Sequence, residues 1–521
     1  MSDGPHGLPH GWANTTLREI AEIVGGLTKD AKKSLGAGFR DVPYLRVANV
    51  QRGRLDLAEI KLISASESDI QKLSLQPGDM LLNEGGDRDK LGRGWIWQGQ
   101  IPVCIHQNHV FRARLQSGDI DPLYIAHFTN SMAQSYFAEH GSQTTNLASI
   151  SLTKLGFLPI RIPPAKEQQR IVAKIEELFS DLDAGVAELK AAQKKLVQYR
   201  QSLLKSAVEG ALTAEWRAQN TPTETGAQLL ERILHERRAR WEAKQLAKFE
   251  SQGKAPPKGW QAKYPEPVQP DTTDLPDLPE GWVWASVDML GEIASGVAKG
   301  SKRDADVPVR EVPYLRVANV QRGFLDLNEV KTILATERDI ADLKLQAGDV
   351  LFNEGGDRDK LGRGWVWREE VADCIHQNHV FRVRPYLRDV LPELISHHGN
   401  TFGKTWFQNA GKQTTNLASI NMTMLRMFPV PFGPTDEQRE LLDQLDVHLD
   451  LLDRQEQTVE LAFKQSTAQR QNILHAAFSG QLVPQDPNDE PASVLLERIR
   501  AERAAQAAVK KLRGRKAKEA A

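Results

Sequence analysis

The sequence predicts an α+β protein built twice: two mixed α/β domains separated by long antiparallel coiled-coil helices, the halves related by a pseudo-two-fold axis. Three observations carry that expectation. The chain repeats itself at a spacing of 270 residues, each copy opens on short apolar runs broken by turn residues, and each copy closes on a long helical stripe. The repeat is far longer than the roughly 20–50 residues of a solenoid unit, so this is a tandem duplication of a whole architecture.

The duplication is nearly verbatim in places. VPYLRVANVQRG stands at 42–53 and again at 312–323, NEGGDRDKLGRGW at 83–95 and 353–365, CIHQNHVFR at 104–112 and 374–382, and QTTNLASI at 143–150 and 413–420. LPHGW at 8–12 answers LPEGW at 278–282. Only the LLERI segments, at 229–233 and 495–499, slip to a spacing of 266. Runs such as GDMLLNEGG and GWIWQG, bounded by Gly, Asn and Asp, read as strands. DPLYIAHFTNSMAQSYFAEHG has helical spacing.

The character changes at IPPAKEQQRIV. From there Ile171, Ile175, Leu178, Leu182, Val186, Leu189, Leu196 and Leu203 recur at steps of three, four or seven, a heptad-like stripe. The second copy carries Leu442, Leu445, Leu449, Leu452, Val459 and Ile473, after a capping-box pattern at Thr435–Asp436–Glu437–Gln438. A helix of about 40 residues is about 60 Å long, more than one compact domain can cover. The simplest partner for each stripe is the other, and an antiparallel pair puts the two domains at opposite ends. The expected organisation is therefore a mixed domain over 1–162, a helical region over 163–250, a Pro-rich linker over 251–277 that carries the chain between domains, a second mixed domain over 278–432, and a helical region over 433–521 ending in a basic tail.

Composition narrows the function. Apolar residues make up 40% and charged residues 26%, as in ordinary globular protein. Two cysteines cannot build a disulfide framework, no run approaches the roughly 18 apolar residues of a membrane span, and MSDGPHGLPHGW has no secretory pattern; the expected compartment is the cytoplasm. With 67 Lys+Arg against 68 Asp+Glu, nucleic-acid binding has to come from local charge patterning.

The polar clusters in the repeated segments are the candidates for that patterning. NEGGDRDKLGRGW supplies Asn83, Arg88, Lys90 and Arg93, with glycines that permit close backbone approach. YLRVANVQR supplies Arg46, Asn49, Gln51 and Arg52; IHQNHVFR supplies His106, Gln107, Asn108 and His109; QTTN supplies Gln143, Thr144, Thr145 and Asn146. The second copy repeats them as Arg316, Asn319, Gln321, Arg322, Asn353, Arg358, Lys360, Arg363, His376, Gln377, Asn378, His379, Gln413, Thr414, Thr415 and Asn416. Amides, Arg and His are the side chains that read base edges and phosphates. Each cluster alone also reads as a tight, internally bonded turn; four clusters repeated almost verbatim point to one ligand surface used twice.

The catalytic inventory is thin. The Walker pattern is absent, GNTFGKT at 399–405 being one residue short, and so are G-x-S-x-G, HExxH and N-P-P-[FY]. Cys104, His106 and His109 lack zinc spacing and a fourth ligand. Glu84, Asp87 and Asp89 have Mg²⁺ chemistry but are interleaved with Arg and Lys.

The order LPxGW, mixed domain, PAKEQQ, long helix, SAVEGAL, then LPEGW, PTDEQR and AAFSGQL, resembles the specificity subunit of Type I restriction–modification enzymes over essentially the whole chain. Copy one departs from copy two at Val208 and Glu209, where Phe478 and Ser479 stand, and at Ala165 against Thr435. The resemblance implies two target-recognition domains, each reading half of a bipartite double-stranded DNA site. It implies two modification (methyltransferase) subunits that carry S-adenosylmethionine, and restriction subunits that translocate and cleave. It gives this chain no catalytic residue, no metal and no cofactor of its own. The rival expectations are a coiled-coil scaffold with protein-binding domains and a self-contained DNA methyltransferase or nuclease.

Overall fold

The computed structural model describes residues 7–28, 38–86, 90–143, 148–298, 307–356, 360–410, 412–413 and 418–519. They fall into two compact units that do not coincide with the two sequence copies. Unit 1 comprises residues 1–190 and 460–521, and unit 2 comprises residues 191–459. Four long helices organise them: α1 (Ala165–Val208), α2 (Gly226–Ser251), α3 (Thr435–Phe478) and α4 (Ala492–Glu519).

The mixed domain of unit 1 is laid over small sheets. Four antiparallel strands run in the order Ala21–Val24, Val110–Leu115, Met80–Asn83, Gly94–Ile96. A second sheet orders Ile105–His106, Phe39–Leu45 and Lys61–Ser66, with the first pair parallel. Strand Ala13–Thr16 pairs antiparallel with Pro159–Ile162, bringing the start of the domain against its end. Unit 2 repeats the plan, with Gly291–Ser295, Val380–Pro385, Val350–Asn353 and Gly364–Val366 as its four-stranded sheet. The helical spacing noted above resolves into Pro122–Ser131 and Gln134–His140. Pro122 sits at the first turn, and the Asp121 carboxylate accepts from the Leu123 and Tyr124 amides, which fixes that start.

Gly92 and Gly362 explain two glycines of the repeated GRGW. They hold φ +62° and +63°, and any Cβ there would collide with the ring of Phe137 or Phe407. Their first role is packing.

The long helices are where copies and units part company. Pro163–Pro164 precede α1 and Pro434 precedes α3, so neither can start earlier. The expected capping box at Thr435 is corrected: Thr435 is already helical, and its Oγ1 is buried with no hydrogen-bond partner. What fixes the start is the Glu-Gln pair. Gln168 Nε2 donates to the Pro163 carbonyl and its Oε1 accepts the Asp121 amide, while Glu167 accepts from the Trp12 indole at 3.0 Å. In unit 2, Gln438 donates to the Gly433 carbonyl and Glu437 accepts from Trp282 at 2.9 Å. LPxGW and the Glu-Gln motif thus belong to one joint. Gly210 and Gly480, at φ +64° and +76°, end α1 and α3.

Within unit 1, Ile473, Ala477 and Phe478 from the end of α3 enter the same core as Tyr124, Phe128, Ile171 and Ile175. Arg470 of α3 pairs with Asp183 of α1 and lies 4.2 Å over the Phe179 ring. Within unit 2, Leu203 and Ala207 from the end of α1 pack with Leu441, Leu445 and Leu452, and Arg200 pairs with Asp453. The stripe is not buried throughout, since Val186 and Leu189 are half-buried.

The helices after each strut follow the same logic. Leu229 and Ile233 of α2 lie in the unit 2 core, and Leu495, Leu496 and Ile499 of α4 lie in the unit 1 core. The Gly226 amide donates to the Gly281 carbonyl, and the Ala492 amide to the Gly11 carbonyl. The linker does not run on toward another domain. It turns back on α2, with Trp260 stacked on Trp241 and Arg237 donating to the Pro265 carbonyl at 2.8 Å. Among the described residues no helix is long and apolar enough to cross a membrane.

Candidate nucleic-acid interface

The four repeated polar segments converge in each unit, with NEGG at the centre. The Asn83 amide donates to the Arg93 carbonyl, the Glu84 amide to the His109 carbonyl, and the Ile150 amide to the Glu84 carbonyl. Gly85 and Gly86 pair with Ser149 and Ala148, which pair in turn with Ser142 and Gln143. Asn83 Nδ2 donates to the Val50 carbonyl at 2.9 Å, which pins the VANVQRG loop to the same place. Unit 2 repeats these bonds through Asn353, Glu354 and Ile420.

This convergence sorts the candidate side chains. Asn49, Asn83 and His106, with Asn319, Asn353 and His376, are buried, which corrects the expectation that they meet a ligand directly. Asn49 spends its amide on the Asp56 and Glu59 carbonyls, and Asn83 its amide on Val50. His106 Nδ1 lies 2.6 Å from the Val110 carbonyl oxygen, which takes a proton only from the Nδ1–H tautomer; His376 does the same with Val380. These residues build the floor.

The members at the surface are held in place by their neighbours. His109 Nδ1 lies 2.6 Å from the Glu84 carboxylate, and Asn108 Nδ2 lies 3.3 Å from His109 Nε2. His379, Glu354 and Asn378 repeat the arrangement at 2.6 and 3.4 Å. Arg52 donates to the Asn130 carbonyl and to Gln134, and Arg322 to the Asn400 carbonyl. Gln51 and Gln321 each bond the carbonyl three residues back, on Ala48 and Ala318. Arg46 faces Glu59 at 3.5 Å, and Arg316 faces Glu329 at 3.2 Å. Gln107, Gln377, Lys90, Arg93, Lys360 and Arg363 are half-buried. Arg88, Thr144, Thr145, Asn146, Arg358, Thr414, Thr415 and Asn416 lie outside the described residues, as do Asp87 and Asp89. Gln143 and Gln413 are placed by their backbone pairing alone.

The buried histidines give a pH prediction. Burial pushes His106 and His376 down to about 4, His397 to about 4 and His398 to about 3. The unfolded chain therefore takes up protons first, so the stability these rings contribute is complete above pH ~6.5 and drains away as pH falls toward 4. Each can withdraw up to about 3 kcal/mol. Urea midpoints should drop between pH 7 and pH 4.5; a constant midpoint across that range refutes the assignment. Cys104 and Cys374 are inert in the same interior, their thiols pushed by burial to about 12.

Sequence reasoning missed the supporting groups. Glu84, not among the candidate contact residues, orients His109. Asp79, fully buried, takes two bonds from Arg114 at 2.6 and 2.7 Å, and Asp349 does so from Arg384. Only the 270-residue echo of these residues signals them.

Comparison with known proteins agrees with this architecture. Residues 9–191 match the family model described as Type I restriction modification DNA specificity domain. The EcoKI specificity subunit of Escherichia coli K12 is 24% identical over 520 residues, spanning 96% of this chain and 97% of that one. The likeness to Type I specificity subunits thus runs along nearly the whole chain. The StySPI specificity subunit of Salmonella potsdam is 22% identical over 95% of this chain and 96% of its own length. In fold, the chain is similar to the HsdS subunit from Thermoanaerobacter tengcongensis, with TM-score 0.51, 16% identity and coverage of 92% of this chain and 100% of that one. It is also similar to a chain solved in work on complex assembly and conformational transition of the type I R-M system, with TM-score 0.62, 17% identity and the same coverage.

Proposed function

We propose that this chain is a Type I specificity subunit that reads a bipartite double-stranded DNA site, one half per mixed domain, and docks two modification subunits and the restriction subunits without catalysing a reaction itself. The observation that carries the reading is the doubled surface. His109–Glu84–Asn108 with Arg52 and Gln51, and His379–Glu354–Asn378 with Arg322 and Gln321, present the same donors and acceptors from the same framework in both units. Donors fixed by neighbours before binding lose little freedom on contacting DNA. S-adenosylmethionine belongs on the modification subunit, and the isolated chain neither binds it nor methylates or cuts DNA. The reading has the two struts antiparallel as a coiled coil, supported by two pairs of opposite order: Asp183, in the first half of α1, pairs with Arg470 late in α3, and Arg200, late in α1, pairs with Asp453 in the first half of α3.

Two like surfaces on antiparallel struts are related by a pseudo-two-fold axis, and a two-fold reader takes an inverted repeat. The site is therefore an interrupted palindrome, with half-site centres on the order of one helical turn (~34 Å) apart. Methylated-motif mapping in the host, with and without the gene, tests this. Two unrelated half-sites overturn it. A one-base asymmetry points to the hairpin where Arg54 in copy one faces solvent as Phe324 does, 56% exposed, in copy two.

A further inference from the structure

One matching place differs between the units. In unit 2 the returning linker lies along α2. Arg237 donates to the Tyr264 hydroxyl at 2.5 Å, and Val268 is held at both ends, its amide by Asp288 at 3.1 Å and its carbonyl by the Ser286 hydroxyl at 2.6 Å. Beside it, Tyr386 packs on the core and Arg426 lies 3.7 Å from Asp288.

In unit 1 the equivalent positions carry other residues. Arg18 stands for Asp288, Thr16 for Ser286, Gln116 for Tyr386 and Gly156 for Arg426; on α4, Arg503 keeps the place of Arg237 while Gln506 and Ala507 replace Arg240 and Trp241. Tyr386, Arg426 and Trp241 thus have only smaller counterparts in unit 1. What remains is an open cavity of about 420 Å³ lined by Arg18, Gln116, Gly156, Phe157, Arg503 and Gln506, among others. That is within the range of about 300–1,000 Å³ usual for ligand sites. Gln116 Oε1, on the cavity wall, is buried with no hydrogen-bond partner. The Arg18 guanidinium lies 3.7 Å over the ring of Phe157, which is 45% exposed.

We propose that this cavity takes an extended segment of a partner polypeptide bearing a tyrosine and, four residues on, a carboxylate. The tyrosine stands against Arg503 as Tyr264 stands against Arg237 in unit 2, with room left by the missing Tyr386 and Arg426 side chains. The carboxylate pairs with Arg18, because the position that captures a backbone amide in unit 2 is here a cation. The four-residue spacing is that of Tyr264 and Val268, whose contacts in unit 2 fall at the counterparts of Arg503 and Arg18. A peptide is the occupant because the matching face of unit 2 is covered by one, and Glu22 on the cavity wall disfavours a phosphate chain. This inference is independent of the DNA reading.

The test uses the full-length protein and two fluorescein-labelled synthetic peptides, residues 259–270 of this chain (GWQAKYPEPVQP) and the same peptide with Val268→Asp. Fluorescence anisotropy should show saturable binding of the Asp peptide, about five-fold tighter than its parent, as one exposed ion pair allows. Arg18→Asp should reverse that preference, a readout that partial unfolding cannot mimic. Gly156→Arg, which restores the filling seen in unit 2, should abolish binding at an unchanged melting temperature. Absence of saturation at millimolar peptide overturns the proposal, as does undiminished binding to Gly156→Arg.

Discussion

Glu437→Ala should lower the unfolding free energy of unit 2 by about 3–5 kcal/mol, the cost of leaving a buried charge without its partner. Glu437 is wholly buried and accepts four bonds: from the Trp282 indole at 2.9 Å, the Thr213 hydroxyl at 2.7 Å, and Arg217 Nε and Nη2 at 2.9 and 2.7 Å. Its removal strands a guanidinium, an indole N–H and a hydroxyl at once, and frees the start of α3. The counterpart in unit 1 should matter less. Glu167 accepts from Trp12 alone among these, because Val483 and Pro487 occupy the places of Thr213 and Arg217, and burial raises its carboxyl above the usual range. Glu167→Ala should cost about 1–2 kcal/mol, one neutral donor left unmet. Urea unfolding followed by tryptophan fluorescence measures both. A loss below about 1 kcal/mol in Glu437→Ala would show that the network does not bear on stability.

Matched four-residue insertions after Lys190 in α1 and after Val459 in α3 should lengthen the spacer of the recognised site. Both points lie where the compact units meet in sequence, so contacts inside each unit keep their partners. Four helical residues add about 6 Å, and two base steps of DNA span about 6.8 Å. On the proposed reading the halves of the site stay the same and the gap grows by one or two base pairs. An unaltered gap in the mapped motif would mean that the struts do not set it.

What the sequence made legible follows from range. The strands and the two 44-residue helices answer to patterns a few residues long, so period and turn chemistry found them. The Glu-Gln motif was visible as a helix start, but its partner is a tryptophan 155 residues earlier, beyond any local pattern. The linker was misjudged for a related reason. Proline content predicts stiffness and reach, whereas its course is fixed by Trp241 and Arg237, which belong to the preceding helix. At the candidate site, verbatim repetition marked the right segments but could not separate roles. Asn83 and His106 recur because the floor needs them, His109 and Arg52 because the surface holds them, and a repeat preserves both alike.

The exchange of tail helices between copies has a consequence for synthesis. Tyr124 and Phe128 wait for Phe478, and the core they share also needs Leu495, Leu496 and Ile499. At about 5–20 residues per second, the ribosome takes roughly 15–60 s to travel from the end of the first half of unit 1 to that last helix. During that interval unit 2, whose parts are continuous from 191 to 459, can close first. The amino-terminal domain, first to emerge, is thus the last to be finished, and for most of its time on the ribosome it is a client for whatever shields exposed aromatic surface.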